Sequence, residues 1–169
     1  MILFLILLSI DLEEILKGIE KNPYFVSKFL QTYYISEDNV VVEEGEIIFN
    51  FKKGIRFDYS NEKKSYVLIE DGFYSKEGEG GWNFTPWDKT SEEYKFFILL
   101  INGKVEEIKT IKVEKGKNEF IISSDNPSFS LILDKKNYFP LKFLLKSKDG
   151  SKNQFEFRNH KRKLKDIKI

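Results

Sequence analysis

The sequence predicts a mainly β protein with α elements: an incomplete, half-open antiparallel β-barrel or strongly curved sheet, carrying an amino-terminal helix and a second short helix as lid or plug. Three observations carry this reading. Many short runs of period two are separated by turn residues. Helical patterns do not alternate with those runs, which disfavours a parallel α/β arrangement. The apolar residues, 41% of the chain, include 16 Phe and 8 Tyr but no Ala, a bulky set suited to a β core or a lined cavity rather than a helical bundle.

The 169 residues form one domain of ordinary size, residues 11–169, with no internal repeat or linker, preceded by a signal-peptide-like segment over residues 1–10. That segment, MILFLILLSI, is too short to span a bilayer, which takes about 20 residues. Its length fits the apolar stretch of a secretory signal peptide of atypical or truncated form, since no basic segment precedes it and no small-x-small cleavage site follows. The alternatives are an apolar first helix or strand of a cytosolic domain, or an uncleaved anchor.

Asp11 and Glu14 form a capping-box-like start, and Leu12, Ile15, Leu16 and Ile19 follow at helical spacing. Asn22 and Pro23 suit a restart, with Phe25, Val26, Phe29, Leu30 and Tyr33 continuing the helical stripe. From about residue 39 the period becomes two: Ile47, Phe49 and Phe51, then Ile55, Phe57 and Tyr59, are joined through Lys53 and Gly54. Further strands are expected at Ser65–Ile69, Glu107–Val113, Glu119–Ser123, Ser128–Leu133, Pro140–Ser147 and Asn153–Arg158, with turns such as Asp71-Gly72 and Asp149-Gly150 between them. A glycine-rich loop over Gly78–Asp88 presents Trp82, Phe84 and Trp87. The second helix is expected over Ser91–Asn102, opened by Thr90 and Glu93 and stopped by Gly103.

Composition excludes much chemistry. Lys and Arg number 28 against 27 Asp and Glu, so no cationic surplus exists for nucleic acid. With no Cys and one histidine, His160, there is no thiol nucleophile, disulfide or repeated-His metal site. The GEGG segment at Gly78–Gly81 lacks the lysine and the strand-to-helix context of a phosphate loop. Paired acids such as Glu43-Glu44 read as solvated or capping groups, and the basic run around His160 reads as a solvated edge or tail, or a docking patch for an acidic surface. No catalytic residue, metal or cofactor is assigned, and an enzyme on this chain would have to work through carboxylates that the sequence does not pair. Apolar residues on both parities, as in Val40–Val42, Tyr66–Ile69 and Leu141–Leu145, point to a curved sheet holding a helix, and in such a concavity an apolar ligand can bind.

Four segments in order resemble the LolA-type periplasmic carriers of outer-membrane lipoproteins. FLQTYY (Phe29–Tyr34) is similar to the end of that family's first helix, and GEIIFNFKKGIRFDY (Gly45–Tyr59) to its early strand, bend and aromatic strand. VLIEDG (Val67–Gly72) and YFPLKFLLKSKDGSKNQFEFRN (Tyr138–Asn159) resemble its strands closed by Asp-Gly turns. The family's Arg-Pro pair has no counterpart in Asn50–Lys53, and its carboxy-terminal strand ending in Pro-Gly is replaced by the basic run, so no switching arginine is carried over.

The resemblance implies a periplasmic, monomeric carrier of lipoprotein acyl chains or another lipid, served by an inner-membrane release complex and an outer-membrane receptor. A lipid- or lipoprotein-sensing domain on the same scaffold is the alternative. The cavity lining is expected from Ile47, Phe49, Phe57, Trp82, Trp87, Phe120, Ile122, Leu131, Phe143 and Phe157, with Leu16, Ile19, Phe29 and Leu30 of the amino-terminal helix as lid.

Overall fold

A computed structural model of the chain describes residues 2–36, 38–87, 104, 110–126, 128–165, 167 and 169, with side chains from residue 12 onward. It consists of α1 (Ile2–Lys21) and eleven strands: β1 (Tyr24–Tyr34), β2 (Val40–Asn50), β3 (Gly54–Tyr59), β4 (Lys64–Ile69), β5 (Gly72–Glu77), β6 (Asn83–Pro86), β7 (Lys112–Lys115), β8 (Glu119–Asp125), β9 (Ser128–Asp134), β10 (Pro140–Lys146) and β11 (Lys152–Lys161). All belong to one antiparallel sheet in the order β6-β5-β4-β3-β2-β1-β11-β10-β9-β8-β7. The sheet does not close: two runs of consecutive hairpins are joined at its middle by the pairing of β1 with β11.

The sheet curves around α1. Glu14 reaches Lys115 of β7 at 3.0 Å, while Glu20 reaches Lys52, just past β2, at 2.5 Å. In a flat sheet β7 and β2 would stand six strand spacings apart, roughly 29 Å, yet the two glutamates are separated by only about 9 Å of helix axis. Ile15 and Ile19 are buried in the core, with Leu12 and Leu16 packed against it. The concave wall they meet comes from alternate residues of the strands, among them Phe25, Phe29, Ile47, Ile55, Phe120, Ile122, Leu131 and Phe143. Gly18 is a point of close approach: the ring of Tyr138 occupies the space a Cβ would need. No helix among the described residues is long and apolar enough to cross a membrane.

Several expectations change. α1 begins at Ile2, so Asp11 and Glu14, expected to open it, lie within it, and residues 73–77, for which no element was expected, continue from the Asp71-Gly72 turn as part of β5. The chain past Pro23 is strand β1, not a second stretch of helix. Phe25, Ser27, Phe29 and Gln31 point into the concavity, and the two polar members obscure the period of two. Ser27 is buried because its hydroxyl donates to the Arg158 carbonyl at 2.7 Å, and Gln31 because its amide donates to Asn153 at 2.9 Å. Phe29 and Leu30 therefore belong to the sheet, not to the helix that was expected to carry them. Within the expected loop over residues 78–88, Asn83–Pro86 instead form β6, which pairs with β5 at the sheet edge. The expected strand over residues 107–113 is described only from Thr110, where the ladder runs Lys112–Lys115. The second helix, over residues 91–102, lies outside the described residues.

Candidate ligand cavity

A cavity of about 240 Å³ opens on the concave side where β1 to β5 face the end of β11. Its apolar wall is Phe57, Leu68, Phe73, Trp87 and Phe155, and its polar margin is Gln31, Glu43, Tyr59, Lys64 and Tyr66. Period two brings these together. Phe57 pairs with Tyr66 across β3 and β4, and Leu68 with Phe73 across β4 and β5. The rings brace one another: Phe57 against Phe155 at 5.5 Å, Tyr59 against Tyr66 at 5.7 Å and Phe73 against Trp87 at 6.2 Å between centroids. Trp87 is anchored by its indole N–H, which donates to the Ile69 carbonyl at 2.9 Å.

Within the polar margin, Gln31 pairs with Tyr59 and Lys64 with Glu43. The Tyr59 hydroxyl donates to Gln31 Oε1 at 2.5 Å, and the Gln31 amide continues the chain to Asn153. Lys64 is bonded to Glu43, lies 3.0 Å from Glu62 and sits 4.5 Å from the Tyr59 ring centroid. Burial pushes the Lys64 ammonium toward neutrality, but its hydrogen bonds and charge attraction to Glu43 and Glu62 outweigh this and hold its pKa above the usual lysine value. Burial raises the Tyr66 phenol above its ordinary pKa, against the opposing pull of Lys64. The margin thus presents the Lys64 ammonium beside two glutamates, two phenols and an amide, next to a wall of carbon. Such an arrangement can hold an apolar body against the wall and offer hydrogen bonds to a polar group at the margin.

Of the residues expected to line a cavity, the structure places Phe57 and Trp87 here. Ile47, Phe49, Leu131 and Phe157 meet around a second, narrow cleft of about 40 Å³ beneath the carboxy-terminal end of α1, together with Ile19. Phe120, Ile122 and Phe143 are close-packed core, each 1% exposed or less. Trp82 lies elsewhere: its ring sits over the Arg56 guanidinium, at 5.6 Å, beside a shallow polar groove that also touches Lys76 and Ile169. Leu16 and Ile19 of the expected lid do lie on α1, over the core. Gln31, Glu43, Tyr59, Lys64, Tyr66, Leu68, Phe73 and Phe155 were not nominated by sequence. The available signal was Gln31, a polar residue at the inward parity of an aromatic strand.

No family model matches the sequence, and neither does any curated protein. Solved structures do share the fold. A DUF1329 family protein from Desulfovibrio piger superposes with a TM-score of 0.52 at 9% identity, over 89% of this chain and 90% of that one. MucB superposes at 0.50 and 15% identity, over 89% of this chain and 57% of that chain. The chain shares its fold with these two proteins. A LolA superfamily protein from Nitrosomonas europaea, NE2245, also aligns, at 9% identity over 94% of this chain and 95% of that one, with a TM-score of 0.49. At these identities the likeness is one of architecture: a half-open antiparallel sheet wrapped on a helix.

Proposed function

We propose that the protein is a non-enzymatic periplasmic carrier that holds an acyl chain of a lipoprotein or other lipid against the concave face. The single observation that supports this is the cavity walled by Phe57, Leu68, Phe73, Trp87 and Phe155 and edged by Tyr59, Tyr66 and Lys64. A hydrocarbon chain moved from water into such a wall gains about 0.8 kcal/mol per methylene, enough to hold a chain that water would otherwise reject. The carboxylates and ammonium at the margin are already paired, so binding leaves no charge stranded. Residues 1–10 serve as the export segment in this reading, and residues 11–169 as the binding domain.

Trp87 supplies the test, because it lines the cavity while the other tryptophan, Trp82, does not. In a Trp82→Phe background, a fatty acid brominated along its chain is expected to quench Trp87 fluorescence saturably, and Phe57→Asp is expected to abolish the quenching. Transfer of the bound chain to acceptor vesicles then distinguishes a carrier from a sensor that retains it. Absence of quenching in the folded background protein would refute the cavity as the acyl site.

A further inference from the structure

The β1–β2 hairpin runs beyond β3 and leaves the outer edge of β2 open there. The ladder between β2 and β3 begins at Gly45, opposite Tyr59, whereas β2 itself begins at Val40. Backbone directions along this stretch follow from two bonds. The Ile35 amide donates to the Asn39 carbonyl at 3.0 Å, so odd-numbered residues of the hairpin exchange bonds with each other. The Ser60 amide donates to the Glu44 carbonyl at 2.8 Å, so even-numbered residues of β2 point toward β3. Past the end of β3, the amides and carbonyls of Val40 and Val42 therefore face outward, and among the described residues nothing pairs with them. Tyr33, Tyr34, Ile35, Val40, Val41 and Val42 are all exposed, Val42 to 56%. Three consecutive β-branched residues with no proline, lysine or bulge form an edge without the usual guards against strand addition.

We propose that the outer edge of β2 at Val40–Glu43 is a docking site for an extended segment of another protein, which joins the sheet as a strand in line with β3. The chemistry of that segment is set by what flanks the valines. Asp38 precedes them, and the exposed Glu44 follows, while Glu43 is already held by Lys64. The fitting partner carries β-branched residues opposite Val40 and Val42, and a lysine or arginine toward each end. A second copy of this chain fits poorly. Pairing Val40 with Val42 of another copy sets Asp38 against Glu44 at both ends, and like charges directly opposite on a ladder are destabilising. Main-chain bonds supply the affinity of such strand addition, and the flanking charges its selectivity. Because Glu43 is shared with the margin of the cavity, the docked strand would stand at its mouth.

The test uses the full chain and a fluorescein-labelled peptide, Lys-Val-Thr-Val-Thr-Val-Lys. Saturable binding is expected, with the amides of Val40 and Val42, fast to exchange in the free protein, becoming protected while those of Val41 and Glu43 are slow throughout. Val42→Pro removes an outward N–H without touching the bonds to β1, and Val42→Lys adds a guard charge. Each is expected to weaken binding at least about tenfold, as loss of a main-chain bond and its pairing predicts. A version flanked by glutamates should bind more weakly than the lysine-flanked one. Absence of binding, or equal binding to folded Val42→Pro and Val42→Lys, would overturn the proposal. A dimer in sedimentation that Val42→Pro dissolves would assign the edge to a second copy instead.

Discussion

His160 lies flat against Phe139, ring centroids 4.7 Å apart, with Phe25 edge-on at 6.1 Å, and neither ring nitrogen has a hydrogen-bond partner among the described residues. Burial holds its pKa below the ordinary 6.5, against the opposing pull of Asp134. The unfolded chain thus takes up a proton near pH 6.5 that the folded chain refuses. Stability from this group is complete above that pH and is lost as the pH falls below it toward the depressed value. The urea midpoint is therefore expected to fall between about pH 7.5 and pH 5.5, and His160→Phe is expected to flatten that dependence. A midpoint insensitive to pH in the wild type, or equally sensitive in the variant, would refute the assignment. Sequence placed His160 in a solvated basic run because six of its neighbours are Lys or Arg. It could not show that β11 continues through Lys161 and turns the imidazole onto Phe139. The same limit applies to Lys64, read as a turn residue, and Glu43, read as a solvated or capping acid, until the short β3 between β2 and β4 lets them meet at the cavity margin.

At the scale of elements, α1 is seated by shape. Tyr138, in the left-handed region at φ 60°, lies between Gly18 on one side and Phe120 on the other, 5.8 Å away and nearly parallel. Arg162 fastens the adjoining turns, donating to the carbonyls of Asn22 at 2.9 Å and Asn137 at 2.6 Å. Gly18→Leu has no room and is expected to lift α1 from the concave face. The expected signature is increased binding of a naphthalene-sulfonate dye with the sheet circular dichroism retained; unchanged dye binding would show that the helix is not held there. The helix was legible from Leu12, Ile15, Leu16 and Ile19 because one apolar stripe meets one surface. β1 was misread because Phe25, Val26, Phe29, Leu30 and Tyr33 satisfy a helical period as well. What decides for strand is long-range: Ser27 and Gln31 find partners in β11, more than 120 residues away.

The molecule as a whole is two local meanders, β2 to β6 and β7 to β10, sewn together by β1 and β11. The hairpins β2–β3, β3–β4, β8–β9, β9–β10 and β10–β11 were legible from alternation and turn residues, since both are local, whereas β1, β5 and β6 were not read as strands. The placement of β1 beside β11 leaves no local trace, and the cavity, whose wall draws on strands from both sides of that seam, was correspondingly hard to read. Closing the seam pays the largest loop entropy in the fold. Phe157→Leu, at the seam, is expected to slow refolding, whereas Val67→Ala, within the β4–β5 hairpin, is expected mainly to speed unfolding. Stopped-flow measurements across denaturant check this, and the reverse pattern would overturn it. The seam also sets a timetable for synthesis. β1 ends at residue 34 and its partner at residue 161, so at about 5–20 residues per second the ribosome leaves β1 waiting for roughly 6–25 s. Throughout that interval Phe25 and Phe29 border an unclaimed edge, and the nascent chain depends on whatever shelters it until its last strand arrives.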